Sequence, residues 1–293
     1  MGSGELAALG TAVCWTVTVI SFEAAGRRVG SLPVNIMRLA AGFVLLSIYT
    51  TLTRGLPLPV DAGTSRWFWL GLSGLVGFVA GDLFLFRAFV LIGSRISMVI
   101  YALVPPVTAL AGRVFLNESL SPGHWLGILV TVSGIGMVIV VRESSRVRLA
   151  HPAGGILLAL GGTVGQAAGL VLSKYGMGDY DPFAANQIRL IAALAVFALA
   201  LPLSGLRRRL REAAGNGTAM RMVGLGSFFG PFLGVSLSLV AVRLIRVGIA
   251  STIMAMVPVF IMVPEKFIMG RRVRIPELAG ALLAVAGVAI VTL

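Results

Sequence analysis

GLSGLVGFVAGDLFLFRAFVLIGSRISMVIYALVPP, residues 71–106, is a stretch that the chain writes twice. Shifted by 153 positions, Gly71, Gly77, Gly81, Ala88 and Pro105 fall on Gly224, Gly230, Gly234, Ala241 and Pro258. Both copies put glycines on one face of an apolar helix and follow it with a second apolar helix interrupted by proline. Small residues at this spacing let helix backbones approach closely in lipid, where packing drives association. The stretch predicts half of a membrane protein, and its copy predicts the other half.

Composition agrees. Of 293 residues, 57% are hydrophobic and 12% charged, with mean hydropathy +0.97; a soluble domain is nearer half apolar and a quarter charged. The apolar runs are about 20 residues each, the length a helix needs to cross hydrocarbon. They lack the alternation of a membrane barrel, so their backbone amides must be satisfied within helices. Ten runs are read, near 5–22, 33–53, 67–91, 97–116, 124–141, 154–173, 183–203, 220–242, 248–269 and 276–293. No basic region precedes the first, which predicts a retained span rather than a signal peptide. Cys14 is the only cysteine, which leaves no internal disulfide.

Upstream the copies match at an offset of 151, where Asn35, Arg38 and Leu39 meet Asn186, Arg189 and Leu190. Residues 1–150 and 151–293 thus form two repeats of five spans. An odd number sends the second repeat into the membrane from the opposite side. The predicted fold is all-α and integral to the membrane: ten transmembrane helices as two inverted five-helix repeats, the plan of many alternating-access carriers.

The net charge of +13 would raise nucleic acid as a partner in a soluble protein. Here the arginines sit mostly in short connections, where they set orientation. Connections after odd-numbered spans hold Arg27, Arg28, Arg95, Arg142, Arg146, Arg148, Arg207, Arg208, Arg209, Arg211, Arg221, Arg271, Arg272 and Arg274; the other side holds Arg54, Arg66, Lys174, Arg243 and Arg246. Fourteen against five favours the first set as cytoplasmic and both termini outside.

The repeat and span count, with Asn35-Ile-Met-Arg38-Leu39, Gly81 through Ala88, and Pro105 followed by Leu116-Asn117-Glu118, resemble the drug/metabolite transporter superfamily, specifically bacterial EamA-type carriers. The Leu-Asn-Glu ending is similar to the family's LGE ending with Asn for Gly. In the second repeat Arg271 replaces the glutamate. The resemblance implies a multi-pass secondary carrier of the cytoplasmic membrane, often an exporter of amino acids or other small metabolites. It also implies termini inside, against the charge count, and spans five and ten at the periphery or at a homodimer contact.

Asp82 is the sharpest candidate: a carboxylate near mid-span costs about 3 kcal/mol to insert, and such groups usually face the bundle interior. It reads as a site for a substrate amine or a proton, or as an ion pair with Arg38, Arg189 or Arg87; its copy is Val235. Arg38 and Arg189 sit in the repeated Asn-x-x-Arg, whose three-residue step puts both side chains on one helix face. They read as gate or anion-binding groups, or as arginines snorkelling to the interface. Glu265 follows Pro264 and reads as a site residue or as a surface partner of Lys266 or Arg271. Breaks at Pro105 and Pro106 in span four, and at Pro258 and Pro264 in span nine, point to a transporter site. Trp15, its counterpart Gln166, and Tyr101 are candidate cavity-lining residues. Gly77, Gly81, Gly230 and Gly234 are candidate packing positions.

Gly71-Leu-Ser-Gly74 matches the GxSG pattern of rhomboid-type intramembrane serine proteases. That chemistry needs a histidine base beside Ser73, and His124 and His151 lie at span ends. Nothing resembles a nucleotide loop or metal cluster, so no enzyme activity, cofactor or metal is expected. The reading is a secondary transporter whose partners are lipid, a small-molecule substrate and protons, with a facilitative channel or a drug or organic-anion carrier as alternatives.

Overall fold

The computed structural model describes residues 2–142, 152–200, 202, 205–267 and 273–293. Arg146, Arg148, His151, Arg271 and Arg272 lie outside them. The described residues form ten helical stretches long and apolar enough to cross a membrane and no strand.

Spans one and two are α1 (Ser3–Val29) and α2 (Ser31–Arg54), joined at Gly30. Gly55 ends α2 at φ +69°, the left-handed region, and returns its N–H to Thr51 O, a helix stop that glycine makes at little cost. Span three is α3 (Thr64–Gly74), a π-helical segment (Leu75–Gly81) and the start of α4 (Asp82–Tyr101); span four ends in α5 (Val104–Phe115). Span five is α6 (Pro122–Arg142), six is α7 (Pro152–Met177) and seven is α8 (Pro182–Ala200). A short α9 (Leu206–Ala214) precedes span eight, made of α10 (Gly217–Ser227), a second π-helical segment (Phe228–Gly234) and α11 (Val235–Leu244). Span nine is broken into α12 (Val247–Met254), α13 (Val257–Phe260) and α14 (Met262–Phe267), and α15 (Ile275–Thr292) is span ten.

Spans three and four are separate, as expected, at Thr64–Ala88 and Ile96–Phe115. Helical backbone continues through α4, yet the chain doubles back within it. Going along α7, Gly165 packs on Gly81, Gly162 on Leu85 and Gly155 on Ile92. Thr163 Oγ1, back up α7, then donates to Ile100 O at 3.3 Å. The reversal therefore lies between Ile92 and Ile100, and spans three and four are antiparallel.

Contacts across the repeats come in exchanged pairs. In α6 and α15, Gly127 packs on Gly287 and Gly134 on Gly280, and at the 153 offset these glycines are each other's counterparts. Gly81 meets Gln166 while Gly234 meets Trp15, again counterparts. Reciprocal contacts of this kind are the mark of a two-fold relation. Because the related helices run in opposite senses, the axis lies across them, in the membrane plane.

Both described chain ends lie on one face, here the terminal face. Gly4 packs on Leu244 and Ile245, Gly112 on Val247, and Gly127 on Val291. The opposite, basic face carries α9, with Arg207, Arg208 and Arg209 exposed.

Candidate functional site

Arg38, on α2, donates Nε to Asn35 Oδ1 at 2.7 Å and pairs through Nη2 with Asp82 Oδ2. The Asn-x-x-Arg step thus uses Asn35 to aim the guanidinium inward, not to the interface. Its carbon lies 5.7 Å from the centre of the Phe22 ring. Both charged side chains keep about a fifth of their surface accessible, 19% for Arg38 and 22% for Asp82. Tyr101 lies within electrostatic reach of both. Among the described residues α2 packs on α1, α8, α10 and the second π segment, whereas α4 packs on α7 and α6, and α2 and α4 share no run of backbone contact. The ion pair therefore joins two helices that share no run of backbone contact, while one turn away Phe78 of the first π segment enters the same apolar cluster as Ile36 and Leu39 of α2.

Toward the terminal face the helices close. α3 packs on α8, α5 on α12, and α1 on α11 and α12. Lys174 Nζ pairs with Glu118 Oε1 at 2.6 Å and donates to Ile245 O at 2.7 Å. Glu118 Oε2 accepts the Val247 N–H at 2.8 Å, so one carboxylate caps α12 and holds spans four, six and nine together. Asn117 beside it has φ +54°. The resemblance puts glycine there, and Asn is the side chain that best tolerates this region.

The second Asn-x-x-Arg is wired differently. Asn186 Nδ2 donates to Pro231 O at 2.7 Å and to Ser236 Oγ at 3.1 Å, leaving its Oδ1 without a partner. Arg189 is 4% exposed. Its guanidinium carbon lies 4.5 Å from the centre of the Phe78 ring, beside Gly77, and its Nε has no acceptor.

Trp15 and Gln166 lie against the closing glycines of the two π segments, Gly234 and Gly81. The candidates thus divide: Arg38, Asp82 and Tyr101 cluster, Trp15 and Gln166 flank the π segments, and Arg189 sits on the first of them. Glu265 stands apart in α14, half-buried toward the basic face. Arg87 is exposed. The helix breaks fall at Ala102-Leu103 and Ala255-Met256, just before Pro105 and Pro258, whose rings would clash with the carbonyls of Tyr101 and Met254. Pro106 follows inside the first turn of α5, and Pro264 lies beyond a further break at Ile261.

Ser73 is fully buried, with its Oγ 2.6 Å from Gly169 O and 2.7 Å from Ser173 Oγ. His124 is engaged with Ser121 near the terminal face. The hydroxyl is a packing bond between α3 and α7, and among the described residues no histidine bonds to it.

Two features escape sequence reasoning. The π segments occupy equivalent places, Leu75–Gly81 and Phe228–Gly234, and such segments frequently mark functional sites. Their only trace in the sequence is a glycine spacing that also suits an ordinary packed helix. Lys174 shows nothing in the sequence except a charge at a span end.

A solved crystal structure superposes with a TM-score of 0.78 over 99% of this chain and 96% of that one, at 18% identity, which speaks to the fold alone. The threonine/homoserine exporter RhtA of Escherichia coli K12 is 26% identical over 152 residues, 50% of this chain. The same relation holds for RhtA of Escherichia coli O157:H7. The match spans about half the length of these relatives, 48%. The model of the EamA-like transporter family matches residues 2–140 and 153–293. This multi-pass membrane protein, with its two exchanged five-helix repeats, belongs to the EamA-like transporter family.

Proposed function

We propose that this chain is a secondary transporter exporting a small amino acid or related metabolite across the cytoplasmic membrane by alternating access. The observation that carries this reading is the Arg38–Asp82 pair, two partly accessible charges joining α2 and α4, helices that share no run of backbone contact. Opposite charges side by side suit a zwitterion, whose carboxylate would turn to Arg38 and whose ammonium to Asp82. A ligand that replaces the pair frees the two helices to move, and protonation of Asp82 does the same. That gives proton coupling a physical route. The partial likeness to an exporter named for threonine and homoserine supports an amino acid as cargo.

The test is uptake of labelled threonine by proteoliposomes holding the full chain, with and without a pH gradient. Exchange with unlabelled threonine and saturation are expected, as is stimulation by the gradient. Asp82→Asn should lower the rate by on the order of a hundredfold while the protein still inserts, as expected for loss of about 3 kcal/mol of charge interaction. Normal transport by Asp82→Asn across pH removes Asp82 from the mechanism. Flux without exchange favours a channel. A response only to cationic drugs or organic anions moves the substrate class.

A further inference from the structure

The charge balance inside the bundle is uneven, and the unevenness has an address. Arg38 has Asp82; Arg189, its counterpart, has Val235 at the matching place, and among the described residues no carboxylate lies within ion-pair distance of it. A guanidinium stays protonated in proteins. A buried charge without a counter-ion is expensive in a membrane. The Phe78 ring offsets part of that cost through its face. A ring under the guanidinium leaves the edge N–H donors unserved, and Nε has no acceptor. In the first repeat Asn35 Oδ1 fills that role. In the second, Asn186 is drawn away to Pro231 and Ser236, and its own Oδ1 is orphaned as well. A buried cationic donor and a neutral acceptor thus stand one helical turn apart, with the donor against the first π segment.

We propose that Arg189 is the core of a monoanion subsite, distinct from the Arg38–Asp82 pair. It takes a carboxylate or a small inorganic anion such as chloride, and a donor group on a carboxylate ligand would meet Asn186 Oδ1. The inference extends the transporter reading above but does not need threonine to be the cargo, because it is tested by binding.

Purified full chain in detergent, in Tris sulfate buffer free of monoanions, is titrated with chloride, acetate, threonine and threonine amide while the thermal-unfolding midpoint is followed. An anion that binds the folded state raises the midpoint saturably. The expected result is a saturable rise with chloride or acetate, or with threonine but not its amide. Arg189→Gln should raise the half-saturating concentration about tenfold or more, as for loss of a charged hydrogen bond; Arg189→Lys should keep most of the effect. Val235→Asp supplies the missing internal carboxylate with Arg189 retained, and should also suppress the response, which keeps the test valid if Arg189→Gln does not fold. Chloride and acetate active together point to a free co-ion, and threonine alone points to the cargo's own carboxylate. No stabilisation by any of the four, or equal stabilisation in Arg189→Gln and Val235→Asp, overturns the proposal. Anion binding without threonine transport overturns the amino-acid reading and leaves the subsite standing.

Discussion

At the scale of single residues, the two Asn-x-x-Arg sequences are the same words with different partners. Asn35 serves Arg38 and Arg38 serves Asp82; Asn186 serves the second π segment and leaves Arg189 to Phe78. A buried pair is costly to break but less costly to remove entirely. Asp82→Asn and Arg38→Gln should each lower the thermal-unfolding midpoint, and the double variant should lie above the lower of the two singles. Strictly additive losses would mean that the two side chains do not depend on each other. Sequence alone shows Asp82 and both arginines because intramembrane charge is rare. It does not show which arginine Asp82 chooses, since Arg38, Arg87 and Arg189 are equal candidates until the helices are packed. The structure leaves Arg87 exposed and Arg189 on a ring.

At the scale of elements, what was legible is what repeats. The glycines of α6 and α15 stand at a common offset, and the structure presses them backbone to backbone. A Cβ on Gly134 would lie 2.4 Å from Ala284 N. Gly134→Val should therefore cost about 2 kcal/mol, read as a lowered midpoint in detergent, whereas Gly136→Val meets nothing within 4 Å and should be near neutral. The π segments were not legible because an added residue per turn changes hydrogen bonding, not composition. The reversal inside α4, by contrast, was legible: the apolar runs 67–91 and 97–116 leave residues 92–96 between them, and the chain turns between Ile92 and Ile100. The connections are also more structured than their Gly and Pro content suggests. Burial acts to raise the Asp61 pKa, but the Tyr180 hydroxyl, donating at 2.8 Å, and Arg54, at 2.5 Å, outweigh it and hold the carboxyl below its ordinary 3.8. A depressed carboxyl stabilises the fold above its unfolded value and loses that contribution as pH falls through the folded one. Wild type should then exceed Asp61→Asn in midpoint near neutral pH, and the gap should shrink as the pH falls below the ordinary carboxyl value of 3.8. A gap that persists in acid would mean the loop is held by shape rather than charge.

For the molecule as a whole, the remaining question is which face meets the cytoplasm, because the direction of export follows from it. The charge count puts the basic face inside, and the structure adds α9 to that side. Leu206 and Ala213 are buried while Arg207, Arg208 and Arg209 are exposed. A short helix with an apolar edge and an arginine edge suits the anionic headgroups of a cytoplasmic leaflet. Arginines in short connections near span ends are also the ones that orient a membrane chain. The resemblance implies the reverse, with termini inside, and the two expectations exclude each other. A reporter active only in the cytoplasm should stay silent when fused after Leu293 and signal when fused after Gly205, at the start of α9. Replacing Arg207, Arg208, Arg209 and Arg211 with glutamine should weaken that preference, giving a mixed population. A strong signal after Leu293 with none after Gly205 would reverse the molecule. The Lys174–Glu118 closure would then lie on the cytoplasmic side and the Arg38–Asp82 pair would face the exterior.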